Sequence, residues 1–162
     1  MKIRELLEGT SSLEKEFFRY EWALKELRYS PDSEDLAYMI KRSNAIGIDH
    51  RIIIAIVAAE SSFRSDIIHQ NGNSSDYGYF QLNNLWHDQH KGNIKAHIDA
   101  GIDHYKWCLK TEKGNVNKAL SRYNTGGSVS DAGKSYASYV NRVKTKIDSK
   151  AKKFKDVINI WN

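Results

Sequence analysis

The stretch IIIAIVAAESSF, residues 52–63, constrains the fold more than any other segment of the chain. Eight consecutive apolar residues, Ile52–Ala59, run directly into the ionisable side chain of Glu60. Such a run is far shorter than the roughly 20 apolar residues of a membrane-spanning helix. With Asp49 as its N-cap, the segment predicts a helix over about residues 50–62 that is apolar on neighbouring faces. We therefore expect Glu60 to be held close to apolar surroundings.

The environment expected for Glu60 has a chemical consequence. Burial disfavours a charged carboxylate, so the pKa of Glu60 should rise. A carboxylic acid that keeps its proton near neutral pH can serve as a general acid. The alternative is that Glu60 lies in water at the last helical turn, where the helix merely ends.

The rest of the chain predicts a mainly helical fold. Its 162 residues suit one domain with a real core, and Pro31 is the only proline. Periodicity and caps predict further helices over about residues 12–28, 33–46, 93–112, 116–124 and 131–150. Residues 64–77 are rich in turn formers and predict a loop, and the following YGYFQLN predicts a turn or a small strand. We expect residues 1–31 to form a helical extension on a core domain of residues 32–162.

The positive charge of the chain is uneven. The net charge is +5, and a basic tail contains Lys134, Arg142, Lys144, Lys146, Lys150, Lys152, Lys153 and Lys155. Such a tail indicates an anionic partner, which could be nucleic acid, lipid headgroups or the bacterial cell wall. The alternative is the solvated face of a terminal helix. The N-terminus has no uninterrupted apolar segment of a secretory signal, so the export route stays open, and no membrane span is predicted.

Motifs elsewhere in the chain put Glu60 in a larger pattern. They are Glu60-Ser61-Ser62-Phe63, Gly78-Tyr79-Phe80-Gln81, Ala119 with Tyr123-Asn124-Thr125-Gly126, and Tyr139-Val140. Each is weak alone, but together and in this order they resemble the soluble lytic transglycosylases, lysozyme-like enzymes that cut bacterial peptidoglycan. The resemblance covers about residues 36–145. The loop before Gly78 is most similar to that of the small transglycosylases of secretion machines and some phage particles.

The resemblance implies a lysozyme-like (goose-type) helical domain with a small loop or β-turn region near residues 64–83. It implies cleavage of the β-1,4 bond between N-acetylmuramic acid and N-acetylglucosamine. Glu60 would act as general acid and then as base, with formation of a 1,6-anhydro sugar and without a cofactor. The enzyme would act on glycan strands of the cell wall, in the periplasm or envelope. The resemblance does not extend to residues 1–31, for which two roles are open: they cover the core or they dock a protein partner.

Supporting residues follow from the same motifs: Ser61, Gly78, Phe80, Gln81, Tyr123 and Asn124. Gly78 permits a close turn beside Glu60, and the Gln81 amide suits sugar hydroxyls. The resemblance implies that the Tyr123 hydroxyl orients the Glu60 carboxyl. Flat faces for sugar rings are offered by Tyr77, Tyr79, Phe80 and Trp86.

The chain also departs from the family pattern. Phe80 stands where a methionine is common, and Arg64-Ser65 stands where Asn-Pro often follows. Phe80 is therefore expected to reshape the groove near the scissile bond. A hydrolytic muramidase is the close alternative to the lyase, and it would need a second carboxylate. Asp66 and Asp76 are the nearby candidates, although both residues also suit turns.

Other function classes have weaker support in the sequence. The histidines His87, His90, His97 and His104 lack the pattern of a zinc site, so no metal is predicted. A nucleic-acid binder is motivated by the basic tail, but no recognised binding motif accompanies the lysines. An inactive protein that only binds the wall is the third alternative, and the intact Glu60, Gln81 and Tyr123 argue against it.

Overall fold

The computed structural model describes residues 9–87, 92–126 and 130–160. The helices are α1 (Ser12–Glu26), α2 (Ser33–Ala45), α3 (His50–Ser61), α4 (Ile94–Thr111), α5 (Val116–Thr125), α6 (Asp131–Lys152) and α7 (Phe154–Ile160). The strands are β1 (Ile68–Asn71), β2 (Ser74–Tyr77) and β3 (Leu82–Asn83), which form one antiparallel sheet in the order β1-β2-β3. The prediction of a mainly α-helical, lysozyme-like fold with a small β region is confirmed.

Short polar side chains set the helix starts, as the sequence predicts. Ser11 caps α1 and forms a capping box with Glu14, and Asp32 and Asp49 cap α2 and α3 through their carboxylates. Each side chain accepts a hydrogen bond from a backbone N–H that has no partner inside the helix. The helix ends predicted from the sequence agree with those observed to within two residues.

Helix α3 lies at the centre of the molecule. Its residues 52–58 are all buried, and those from Ile53 to Val57 are completely so. It packs between α2 and α6, and α6 also contacts α1 and α5. Burial of each Ile or Val side chain contributes roughly 1.5–3 kcal/mol, which fixes α3 and the residue at its end.

Helix α1 shares the same core. Tyr20, Ala23 and Leu24 are buried, and the Tyr20 hydroxyl donates to Asp148 Oδ1 on α6 at 2.7 Å. Lys144 pairs with the other oxygen of Asp148 at 2.6 Å. Residues 12–26 are therefore packed against the core helices. The boundary at residue 31 stays a prediction, and residues 1–8 lie outside the part of the chain described.

The predicted loop over residues 64–77 is wrong in part, because β1 and β2 form a hairpin there. Ile68 pairs with Tyr77 and Asn71 with Ser74, around a turn at Gly72 and Asn73. All four residues of β1 are exposed. Its polar side chains therefore give no alternating apolar signal, and the same residue types that favour turns lie in the strands.

Two glycines let the sheet segment pack closely on α4. Gly78 has a φ of +71°, and a Cβ there would lie 2.6 Å from Nε2 of the buried His97. A Cβ on Gly101 would overlap the ring of Phe80. The Phe80 ring is fully buried in the notch that Gly101 leaves on the surface of α4. The backbone N–H of Phe80 donates to His97 Nε2 at 3.3 Å. The absence of two side-chain atoms thus sets the distance between the sheet and α4.

Candidate active site

A cavity of about 1120 Å³ opens beside the end of α3. One wall is the sheet, and the others come from α4, α5 and the segment after β3. Glu60, Gln81, Tyr123 and Asn124, predicted from separate motifs, all line it. The fold therefore brings together side chains that lie more than 60 positions apart in the sequence, from Glu60 to Asn124.

Glu60 is half-buried at the last turn of α3. Burial raises the pKa of Glu60 to about 7. The hydrogen bond from Tyr136 lowers this pKa, the negative charge of Asp76 raises it, and His69 lowers it. Burial dominates because the apolar helix keeps water from one side of the carboxyl. At neutral pH a substantial fraction of Glu60 thus carries a proton that it can donate.

Tyr136, and not Tyr123, holds the Glu60 carboxyl. The Tyr136 hydroxyl donates to Glu60 Oε1 at 2.5 Å, whereas the Tyr123 hydroxyl donates to the backbone oxygen of Phe80 at 2.7 Å. The orienting role expected for Tyr123 is therefore wrong in this structure. Tyr123 is buried and its ring stacks on that of Tyr136, with centroids 6.3 Å apart and planes at 11°. It supports Tyr136 and fixes the turn before Gln81.

The sequence pattern indicates that Tyr136 lies on the apolar face of its helix. Together with Val140, Val143 and Ile147 it follows the i, i+4, i+7, i+11 spacing of one helix face. Helix α6 packs on α3, and Tyr136 on this face reaches Glu60. Tyr139, the aromatic residue in the recognised motif, is 45% exposed.

The cavity face of the sheet is polar. His69 and Asn71 on β1, Asp76 on β2 and Asn83 on β3 all line the cavity, and they share one face because Asp76 pairs with His69 and with Asn83. The Asp76 carboxylate accepts from the amide of Asn71 and, at 2.9 Å, from that of Asn83. The second carboxylate predicted at Asp76 thus faces the cavity, while Asp66 lies in an exposed turn outside it.

Gln81 lines the cavity in a strained conformation. Its φ is +48°, and its amide nitrogen donates to the backbone oxygens of Gly78 at 2.9 Å and Ile67 at 3.2 Å. Its side-chain oxygen lies 2.5 Å from His69 Nδ1. The sugar-binding role expected for Gln81 stays a prediction, since its amide also ties the turn to the strand before it.

Two predicted side chains lie away from the cavity. Ser61 is buried, and its hydroxyl donates to the Val57 oxygen at 3.1 Å, so it supports α3. The Phe80 ring is buried against Gly101, so the expectation that it reshapes the groove is wrong. Gly78 is also not among the lining residues, and its φ of +71° permits the turn that carries Gln81.

The aromatic surface of the cavity differs from the one expected. Trp86 is 80% exposed and lines the cavity, and Trp107, which the motifs did not single out, is 48% exposed and lines it too. Tyr79 is buried, and its hydroxyl donates to Asp35 Oδ2 at 2.6 Å. Flat indole faces pack well on sugar rings, so these two tryptophans are the stronger candidates.

The cavity also contains histidines. Burial lowers the pKa of His104 to about 4, so this ring is neutral where it stacks on Trp107. The ring of His104 also lies near those of His87 and Tyr123, at centroid distances of 4.8 and 5.0 Å. Within the described residues no group of three or more His, Cys, Asp or Glu side chains could hold a metal ion. His90 lies outside those residues.

One of the comparisons with known proteins gave a family match. The family model for the transglycosylase SLT domain matches residues 37–153, which is most of the chain. No curated protein and no solved structure gave a significant match. Among the described helices none is both long and apolar enough to cross a membrane. The matched region contains Glu60 and every other residue placed at the cavity, and the chain belongs to the transglycosylase SLT domain family of lysozyme-like enzymes that cleave the peptidoglycan of the cell wall.

Proposed function

We propose that this enzyme is a lytic transglycosylase that cleaves the β-1,4 bond between N-acetylmuramic acid and N-acetylglucosamine and leaves a 1,6-anhydro-muramic acid end. The observation that supports the proposal best is the state of Glu60. Burial raises its pKa to about 7, and Tyr136 fixes one of its oxygens. A group with this pKa both gives and takes a proton readily near neutral pH.

The proposed reaction needs a single carboxyl group. Glu60 donates its proton to the glycosidic oxygen while the bond from that oxygen to C1 of the muramyl residue breaks. The resulting Glu60 carboxylate then removes the proton of the muramyl 6-hydroxyl, and the 6-oxygen bonds to C1. No water is consumed, and Glu60 ends the cycle protonated. An internal hydroxyl held close to C1 has the advantage of proximity over a water molecule.

Hydrolysis of the same bond is the second candidate, and Asp76 favours it. This carboxylate lines the same cavity as Glu60 and is held by Asn71 and Asn83. Inverting glycosidases use a second carboxylate to activate water, and retaining ones use it as a nucleophile. In the lyase reaction Asp76 has no proton to transfer and would instead stabilise the positive charge that develops at C1.

Mass spectrometry of the muropeptides released from purified sacculi distinguishes the two reactions. We expect anhydro ends from the wild type, none from Glu60→Gln, and anhydro ends at a reduced rate from Asp76→Asn. Reducing ends, one water heavier, that disappear in Asp76→Asn would instead establish the muramidase. No release by the wild type from the walls of several bacteria would favour the third alternative, a protein that only binds the wall.

The basic surface supports contact with an anionic wall. Arg142, Lys146 and Lys153 are exposed on α6 and just after it, and they follow i, i+4 and i+11 spacing on one side. No protein partner is proposed for residues 1–31, and the route by which the enzyme reaches the wall stays open.

A further inference from the structure

The hydrogen bond between His69 Nδ1 and Gln81 determines which nitrogen of the neutral histidine ring carries the hydrogen. The Gln81 amide nitrogen donates to the oxygens of Gly78 and Ile67, so both of its hydrogens are in use. These two bonds fix which end of the amide is oxygen. The atom that lies 2.5 Å from His69 Nδ1 is therefore Gln81 Oε1, an acceptor.

An acceptor opposite Nδ1 selects one tautomer of His69. Nδ1 must carry the hydrogen, since two acceptors cannot form a hydrogen bond with each other. In the neutral ring Nε2 then carries the lone pair. His69 is exposed and lines the cavity, and no bond to its Nε2 is formed within the described residues.

The neighbouring groups on this wall bind one another. Asp76 accepts from Asn71 and Asn83, and the Asn83 oxygen accepts from the backbone N–H of Leu85 at 3.0 Å. The charged groups that face His69 are Glu60 on α3 and Asp76 on β2. An incoming sugar hydroxyl can donate to His69 Nε2, whose lone pair forms no bond within the described residues.

We propose that His69 is a substrate-positioning residue whose Nε2 accepts a hydrogen bond from a sugar hydroxyl of the glycan strand, with Gln81 fixing its tautomer. The proposal rests on the glycan-binding part of the proposed function and not on the reaction that follows. It also gives Gln81 an indirect role in glycan recognition, because Gln81 orients the His69 ring that contacts the sugar.

Two substitutions test the roles of Nδ1 and Nε2 of His69 separately. The amide of an asparagine reaches about as far as Nδ1 and that of a glutamine about as far as Nε2. His69→Asn therefore keeps a donor for Gln81 and loses the substrate acceptor, whereas His69→Gln keeps an acceptor near Nε2. Both are made in the Glu60→Gln background, so that binding is measured without turnover. Gln70→Asn, on the same strand but the opposite face, is the matched control.

The probe is an oligosaccharide of alternating N-acetylglucosamine and N-acetylmuramic acid, titrated calorimetrically. We expect Glu60→Gln/His69→Asn to bind it about 10-fold more weakly than Glu60→Gln, which is the effect of one hydrogen bond. Glu60→Gln/His69→Gln should recover most of the affinity, and Glu60→Gln/Gln70→Asn should bind as Glu60→Gln does. Equal affinity of the His69→Asn and parent proteins would overturn the proposal, as would the absence of any binding by Glu60→Gln.

Nitrogen NMR of the His69 ring gives a readout that a structural role would not move. The ¹⁵N shifts distinguish a protonated from an unprotonated ring nitrogen, and for the neutral ring we expect hydrogen on Nδ1 and none on Nε2. The Nε2 resonance should move when the saccharide is added to Glu60→Gln. A free protein with hydrogen on Nε2 and none on Nδ1 would contradict the tautomer on which the proposal depends. Reducing ends among the wild-type products would change the proposed reaction and leave this result standing.

Discussion

The protonation of Glu60 couples the stability of the fold to pH. Burial raises its pKa to about 7 in the folded protein, against an ordinary value of 4.5. Between these two pH values the folded state holds a proton that the unfolded state has released. The contribution of Glu60 to stability is therefore fully present below about pH 4.5 and is lost as the pH rises through 7.

Glu60→Gln should remove this loss, because an amide stays neutral. We expect the variant to be more stable than the wild type at pH 8, by about 1–3 kcal/mol, and the difference to shrink towards pH 5. Urea unfolding at several pH values measures it. A difference that stays constant between pH 5 and 8 would contradict the burial argument.

Tyr136→Phe tests the hydrogen bond to Glu60. Because the Tyr136 hydroxyl lowers the Glu60 pKa, its loss should move the alkaline limb of the activity profile to higher pH. Loss of orientation should reduce kcat about 10-fold or more. Sacculus digestion followed across pH 5–9 measures both effects.

Tyr123→Phe is the matched control for Tyr136→Phe. It likewise removes a single hydroxyl oxygen, here from the ring that stacks on Tyr136, and this hydroxyl donates to the backbone oxygen of Phe80. We expect about 1–3 kcal/mol of lost stability, because a buried carbonyl loses its donor, and an unmoved alkaline limb. An equal shift of the limb in both variants would mean that Tyr136 has no special relation to Glu60.

At the scale of elements, Gly78→Ala tests the packing of the sheet segment on α4. Alanine at a φ of +71° costs roughly 1–2 kcal/mol, and contact with the buried His97 ring adds roughly 1–3 kcal/mol. Gly114→Ala is the matched control, because its φ is +81° and its Cβ meets no atom within 4 Å. Thermal unfolding should show a clearly larger loss for Gly78→Ala. Equal losses would mean that only backbone conformation matters at Gly78.

The sequence predicts the helices well because their signals are local. Asp32 and Asp49 cap α2 and α3 within one turn, and apolar spacing identifies each buried face. The strands of the β1-β2 hairpin lack such a signal, because one face consists of polar residues such as His69 and Asp76 that line a cavity and not a core. The turn at Gly72 and Asn73 does carry a local signal, since this residue pair is typical of tight hairpins.

The candidate site is predictable where its residues lie in local sequence motifs. Glu60 and Gln81 lie in recognisable motifs and reach the cavity as expected. The exchange of roles between Tyr123 and Tyr136 depends on how α6 crosses α3, and no local pattern encodes that crossing. The resemblance assigned the tyrosine beside Glu60 to Tyr123, whereas the hydroxyl that contacts Glu60 belongs to Tyr136.

At the scale of the whole molecule, α1 should unfold together with the core. Leu24 is fully buried, so Leu24→Ala should cost about 2–5 kcal/mol, while Lys25→Ala on the exposed side should cost little. Calorimetry of Leu24→Ala should show one transition at a lower temperature. A second transition, with the main one unmoved, would identify α1 as a separate appendage.

The net charge of +5 should make wall binding depend on salt. We expect the fraction of Glu60→Gln that pellets with sacculi to fall as ionic strength rises from about 0.05 to about 0.5 M, because exposed charges are screened. Reversal of charge at Arg142 and Lys146 should weaken pelleting most at low salt. If pelleting changes neither with salt nor with these substitutions, the cavity alone would account for binding to sacculi.

The notch in which Phe80 meets Gly101 carries a consequence for natural variation in this family. The two positions share one fixed space, so volume gained at one must be given up at the other. Relatives with a slimmer side chain at position 80 should tolerate a methyl group at position 101, and those with an aromatic ring should not. Positions 80 and 101 should therefore coevolve, and an exchange of both together should be accepted where either alone is rejected.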